Sequence, residues 1–82
     1  MEKKEILDRV KKVTAEVLGI EENGIKEESR FVQDLGAESV QSLELVASFE
    51  DEFDIEMAED AALQVKTVGT AVEFIGKHLE GK

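Results

Sequence analysis

Asp34-Leu35-Gly36-Ala37-Glu38-Ser39-Val40-Gln41-Ser42-Leu43-Glu44-Leu45-Val46-Ala47-Ser48-Phe49-Glu50-Asp51-Glu52-Phe53 reads as a tight turn feeding one helix. Gly36 permits a backbone conformation that a side chain resists, and beyond Glu38 the apolar residues recur at helical spacing as far as Phe53. Ser39 therefore falls at the helix start, where a serine commonly caps the free N–H groups. On a helical wheel Ser42, Leu45, Val46, Phe49 and Phe53 share one side, the face a small bundle buries. Val40, Glu44, Ala47 and Asp51 share the opposite side, with Leu43 between the two. That outward face is a narrow apolar strip flanked by acids, next to a serine at a turn. It suits a docking surface around an attachment point.

Working outward, the residues before this helix predict another. Ile6, Val10, Val13 and Val17 repeat at four, three and four residues, leaving Lys4, Asp8, Lys11 and Lys12 outside. Gly19 is the stop signal. Residues 20–37 form a long connection, for which Ile20, Ile25, Phe31, Val32 and Leu35 are the expected anchors. After Phe53 an extended link leads to Ala58–Leu63, enough for one or two helical turns that are too short to stand alone. Thr67 reads as the N-cap of a last helix, with Val68, Val72, Ile75 and Leu79 as its stripe and an end near Gly81. There is no proline, no sustained period-two alternation and no internal repeat. The fold expected is all-α: a single domain, residues 1–82, of three longer helices and one short one.

Composition narrows the function. A net charge of −10 disfavours nucleic acid and anionic membrane as partners, since both repel it. The charge is concentrated: residues 21–66 hold three basic and 14 acidic groups, whereas residues 1–20 hold five and four. Glu50, Asp51, Glu52 and Asp54 crowd the C-terminal end of the central helix, where the helix dipole disfavours them by some tenths of a kcal/mol each. They read either as a solvated charge run or as a surface that steers basic partners. With no cysteine there is no disulfide framework, thiolate metal site or cysteine nucleophile. Any thiol this protein uses is supplied by something else. No apolar stretch approaches a membrane span, so a cytosolic protein is expected, and the charged exterior favours a monomer.

Catalytic constellations are weak. His78, the only histidine, falls in the last turn of the last helix, where the dipole gives it a structural role. The carboxylates lie on faces where nothing shifts a pKa toward catalysis, and no loop has EF-hand spacing. Autonomous catalysis is not expected, and no metal ligands are assigned, although acid clusters such as Glu50, Asp51, Glu52 and Asp54 could hold divalent cations weakly.

Asp34-Leu35-Gly36-Ala37-Glu38-Ser39-Val40, followed by Glu44-Leu45-Val46 and Glu50-Asp51-Glu52-Phe53-Asp54-Ile55, resembles an acyl carrier protein over almost the whole chain, Thr67-Val68 at the last helix included. The resemblance implies a four-helix bundle whose Ser39 carries 4'-phosphopantetheine. A separate phosphopantetheinyl transferase would attach the arm from coenzyme A, and acyl groups would ride on its thiol. It also implies that the central helix docks enzymes bearing basic patches through Glu38, Val40, Glu44, Ala47, Glu50 and Asp51, with Leu43 at the margin. Where the family pattern has Asp-Ser-Leu, this chain has Glu38-Ser39-Val40. Gln41 stands where an acid is usual, and Ala47 where methionine is common. These departures point to a specialised carrier of fatty-acid or related lipid or secondary metabolism. An aminoacyl or polyketide-type carrier is the alternative within the class, and an unmodified acidic helical adaptor the alternative outside it. Small residues Ala47, Ala61, Ala62, Gly69 and Ala71 suggest room between helices for an acyl chain, although small residues also allow close packing.

Overall fold

The computed structural model describes residues 2–57 and 65–80. Helix α1 spans Lys3–Leu18, α2 spans Ser39–Phe53 and α3 spans Val68–Glu80. A single 3-10 turn, Glu22–Gly24, interrupts the long connection between α1 and α2. The protein is all-α, and no strand occurs among the described residues. The short helix expected over Ala58–Leu63 and the helix end expected near Gly81 lie outside the described residues.

The apolar stripes read from the sequence face one another. Ile6, Val10 and Val13 of α1, Leu45, Phe49 and Phe53 of α2, and Val68, Ala71, Val72 and Ile75 of α3 make the buried core. Helix α1 packs against both other helices, so it is the spine of the bundle. Val17, Val46 and Leu79 are half-buried and pad its margins. Gly19 ends α1 in the left-handed conformation, and the Ile20 N–H reaches back to the Ala15 carbonyl at 3.1 Å, as in a Schellman cap.

Helix α2 ends the same way with an acid. Asp54 sits at φ 53°, and the Ile55 N–H donates to the Glu50 carbonyl at 3.1 Å. The chain then turns inward, burying Ile55 and Met57. One carboxylate oxygen of Glu50 accepts the Met57 N–H at 3.0 Å, so this acid fixes the exit from α2. Arg9 of α1 lies 3.6 Å from Glu52 and offsets part of the negative charge there. At the other end of the bundle the His78 ring lies 4.6 Å from that of Phe74, one turn back on α3, and His78 is one of two basic groups in the last turn.

The long connection is ordered by α3 rather than by a helix of its own. The Phe31 N–H donates to the Lys66 carbonyl at 3.0 Å, the Val68 N–H to the Ser29 carbonyl at 3.0 Å, and the Gly69 N–H to the Glu27 carbonyl at 2.7 Å. The first two form an isolated antiparallel bridge between Arg30 and Thr67. The second and third use the Val68 and Gly69 amides at the start of α3, which have no partner within the helix. Thr67 caps the next one, accepting the Thr70 N–H at 3.1 Å, as the sequence indicates. Ile25 and Phe31 are buried anchors as expected, and the Phe31 and Phe49 rings lie 6.3 Å apart. Val32 is not an anchor. It is 61% exposed, because residues 30–35 close into a hydrogen-bonded turn that puts Phe31 inward and leaves Val32 on the outer side.

One buried group is unpaired. The Thr14 hydroxyl is fully enclosed in α1 and has no hydrogen-bond partner among the described residues. Thr14→Val keeps the shape and removes that desolvated oxygen. The variant should be more stable by roughly 1 kcal/mol, a rise of about 4–8 °C in midpoint for a domain of this size. A calorimetric scan checks it; an unchanged or lower midpoint would mean that the hydroxyl finds a partner in solution.

Candidate functional site

The site begins with the turn that precedes α2. The Arg30 backbone N–H and side-chain Nε both donate to Asp34 Oδ2, at 2.8 and 3.1 Å, and Nη2 reaches Oδ1 at 3.4 Å. In the reverse direction the Asp34 and Leu35 N–H groups donate to the Arg30 carbonyl, at 2.9 and 3.0 Å. These five bonds close a compact ring. Gly36 follows at φ 74°, where a side chain would be strained, and Ala37 is buried with its N–H on the Phe31 carbonyl at 2.8 Å. The chain therefore leaves the loop at a fixed point and in a fixed direction.

Ser39 is the first residue of α2, one place further in than a capping serine. The cap position belongs to Glu38, whose N–H donates to Gln41 Oε1 at 3.0 Å. Spacing shows this once it is sought: Glu38-x-x-Gln41 is a capping-box pattern with an acid in the serine place. Its consequence is that the Ser39 hydroxyl is relieved of the capping role given to it by the sequence reading. Ser39 is exposed and its hydroxyl has no hydrogen bond among the described residues. An anion joined to it would lie at the positive end of the helix dipole, worth about 0.3–1 kcal/mol at an exposed site.

Down α2 from Ser39, the outward strip is as the wheel places it. Val40 and Leu43 are 65% and 63% exposed, unusual for large apolar side chains, and Glu38, Glu44, Ala47 and Asp51 are exposed beside them. Glu50 differs. It is half-buried and its carboxylate is engaged by the Met57 N–H, so only part of it faces outward.

Between α2 and the loop lies a cavity of about 400 Å³ that the sequence reading did not locate. Buried Phe31, Leu45, Phe49 and Met57 form its apolar interior, and Val32, Leu43, Arg30 and Lys66 stand at its exposed margin. None of Ala47, Gly69 and Ala71 lines it. Ala47 points outward, and Gly69 serves close approach: a Cβ there would come within 3.1 Å of the Glu27 carbonyl oxygen. Ala61 and Ala62 lie outside the described residues. The space comes from large residues parting, a signal that residue size in the sequence does not carry.

With this geometry in view, comparison with known proteins gives one family. The profile of the phosphopantetheine attachment site matches residues 8–75, which include the whole of α2 and the turn before it. Among solved structures, the acyl carrier protein from Enterococcus faecalis superposes with a TM-score of 0.78 at 32% identity, over 95% of this chain and 99% of that one. This chain belongs to the phosphopantetheine-bearing acyl carrier proteins. Its role is accordingly that of a carrier and not of an enzyme, its cofactor is covalent 4'-phosphopantetheine, and its partners are phosphopantetheinyl transferases and acyl-handling enzymes.

The Arg30 ring makes a pH-dependent contribution. Hydrogen bonds from the Arg30 side chain, then from its backbone, favour charged Asp34 and hold its carboxyl below the ordinary value of 3.8. A lowered folded-state pKa adds stability that is complete above the ordinary value and fades as pH falls through the lowered one. Asp34→Asn mimics the protonated form. Denaturant titrations should show the parent more stable than this variant at about pH 6, with the gap closing by about pH 2; a gap independent of pH would contradict the assignment.

Proposed function

We propose that Ser39 is the residue that bears the 4'-phosphopantetheine arm. The observation that carries the proposal is its hydroxyl: exposed, without a hydrogen bond among the described residues, and at the first position of α2 within the residues that match the attachment-site family. When attached, the arm supplies the thiol that this cysteine-free chain lacks, on which acyl groups travel as thioesters. The chain's own residues do the rest. The Arg30–Asp34 ring and Gly36 hold the loop so that Ser39 faces outward, and the first turn of α2 offers its N–H groups and dipole to the phosphate.

Val40 and Leu43, flanked by Glu38, Glu44 and Asp51, serve as the docking strip, with Ala47 as a shallow floor and Glu50 contributing from its half-buried place. Basic patches on partner enzymes complement this strip, which governs encounter and orientation more than final affinity. The protein works as a single carrier domain, residues 1–82, monomeric and cytoplasmic, and delivers fatty-acyl or related chains in lipid or secondary metabolism. Glu38, Val40, Gln41 and Ala47 stand where the family differs, and suit it to a specialised set of enzymes. The cavity beside Phe49 is the seat for the acyl chain.

Two outcomes test this. Intact mass after incubation with coenzyme A, magnesium and a broad-specificity transferase should rise by one phosphopantetheine in the parent and stay unchanged in Ser39→Ala. A parent that gains nothing would leave an acidic helical adaptor, and a gain that survives in Ser39→Ala would move the attachment elsewhere. Separately, Glu44→Lys should slow modification about tenfold at low salt without changing the unfolding midpoint, and the deficit should narrow as salt screens the surface. Equal rates would remove Glu44 from the docking strip.

A further inference from the structure

The 3-10 turn at Glu22–Gly24 adds nothing to the core: none of its residues is buried and no side chain caps it. It nevertheless holds the one asparagine of the chain, Asn23, directly before a glycine, and no aspartate precedes a glycine anywhere in the sequence. The Asn23 side chain is exposed and makes no hydrogen bond with any described residue. The backbone does not require a glycine at position 24. Its φ is not positive, unlike those of Gly19 and Gly36, and a Cβ placed there would meet nothing within 4 Å. What the missing side chain does provide is open access to the Gly24 nitrogen from the neighbouring side-chain amide. That nitrogen is loosely held. Its N–H donates to the Glu21 carbonyl at 3.3 Å, whereas the Ile25 N–H reaches the Glu22 carbonyl at 3.0 Å.

We propose that Asn23-Gly24 is a site of spontaneous modification, at which the chain converts to aspartate and isoaspartate without an enzyme, and that the isoaspartate form loosens the start of the long connection. The Gly24 nitrogen, having given its proton to hydroxide, attacks Cγ of Asn23. A C–N bond forms, the bond from Cγ to the side-chain nitrogen breaks, and ammonia leaves with a proton from water, giving a five-membered cyclic imide. Water then opens the ring. Cleavage between the Gly24 nitrogen and Cγ leaves aspartate. Cleavage between that nitrogen and the backbone carbonyl carbon of residue 23 leaves isoaspartate, whose main chain runs through Cβ and Cγ and is one atom longer. Ring closure needs the turn to open, and a turn without buried residues opens at little cost. The extra atom enters two residues before Ile25, which is buried, and four before Glu27. The Glu27 carbonyl accepts the Gly69 N–H at 2.7 Å and its carboxylate lies 3.5 Å from Lys3. Aspartate keeps the backbone length, so only isoaspartate disturbs these anchors.

The experiment incubates the full chain at mildly alkaline pH, folded in buffer and unfolded in urea. It follows isoaspartate by methyl transfer from a protein isoaspartate methyltransferase and by the mass of the peptide that bears residue 23. The folded chain should convert at a rate within about tenfold of the unfolded one, since only the turn has to open. A folded rate lower by the whole unfolding constant, on the order of a thousandfold or more, would overturn the site. Gly24→Ala has room for its methyl group and should fold as the parent does, yet convert on the order of tenfold more slowly, because the Cβ obstructs the attack. Conversion at the parent's rate would contradict that. Asn23→Ser should accept no methyl label, and label that persisted would place the isoaspartate elsewhere. Separated from the aspartate product, the isoaspartate form should unfold at a lower midpoint and exchange its Gly69 amide faster. Identical midpoints and exchange would overturn the loosening. None of these results depends on whether Ser39 bears an arm.

Discussion

Three backbone hydrogen bonds hold residues 27–31 of the long connection against residues 66–69 at the start of α3: Phe31 to Lys66, Val68 to Ser29 and Gly69 to Glu27. The last two solve two problems together, and the first secures the loop beside them. Amides at a helix N-terminus have no partner within the helix, and a loop crossing a small core has backbone groups that burial would leave unsatisfied. Joining them turns a connection of 20 residues between α1 and α2 into a fixed part of the bundle. Phe31 can then be buried against Phe49, and the Arg30–Asp34 ring has a rigid base from which to aim the chain into α2. The direction of Ser39 is a consequence of this seam.

Helix α2 has two different sides. On its outer side α2 presents Val40 and Leu43 among carboxylates, the surface we propose as the docking strip. On its inner side lies the cavity, with Phe31, Leu45, Phe49 and Met57 as its apolar interior. The acids at the C-terminal end of α2 oppose the helix dipole, and part of that cost is met locally. Arg9 approaches Glu52 and the Met57 N–H binds Glu50. Asp51 is exposed, with neither kind of partner among the described residues, so helix stability does not account for it.

Much of this was legible in the sequence because helical periodicity is a repeated signal. The stripes Ile6-Val10-Val13, Leu45-Phe49-Phe53 and Val68-Val72-Ile75 each name a buried face, and all three are buried. The outward face of α2 follows from the same wheel. Single positions in irregular backbone are harder. Val32 and Phe31 are both large and apolar, and only the local backbone direction decides that one is exposed and the other buried. Position alone makes a serine at a helix start a candidate cap as well as an attachment point, whereas Glu38 and Gln41 supply the cap and leave the hydroxyl unengaged among the described residues. The cavity was least legible of all. It depends on how Phe31, Leu45, Phe49 and Met57 pack across three segments far apart in the chain, which no local pattern encodes.

Amide hydrogen exchange tests the seam directly. If it orders the site, the N–H groups of Phe31, Ala37, Val68 and Gly69 will exchange as slowly as those of Val10 and Val13 in the core of α1, through opening of the whole domain. Exchange of Phe31 and Gly69 at rates typical of an exposed loop, with α1 still protected, would mean that the connection moves independently of α3 and that the placement of Ser39 has another origin.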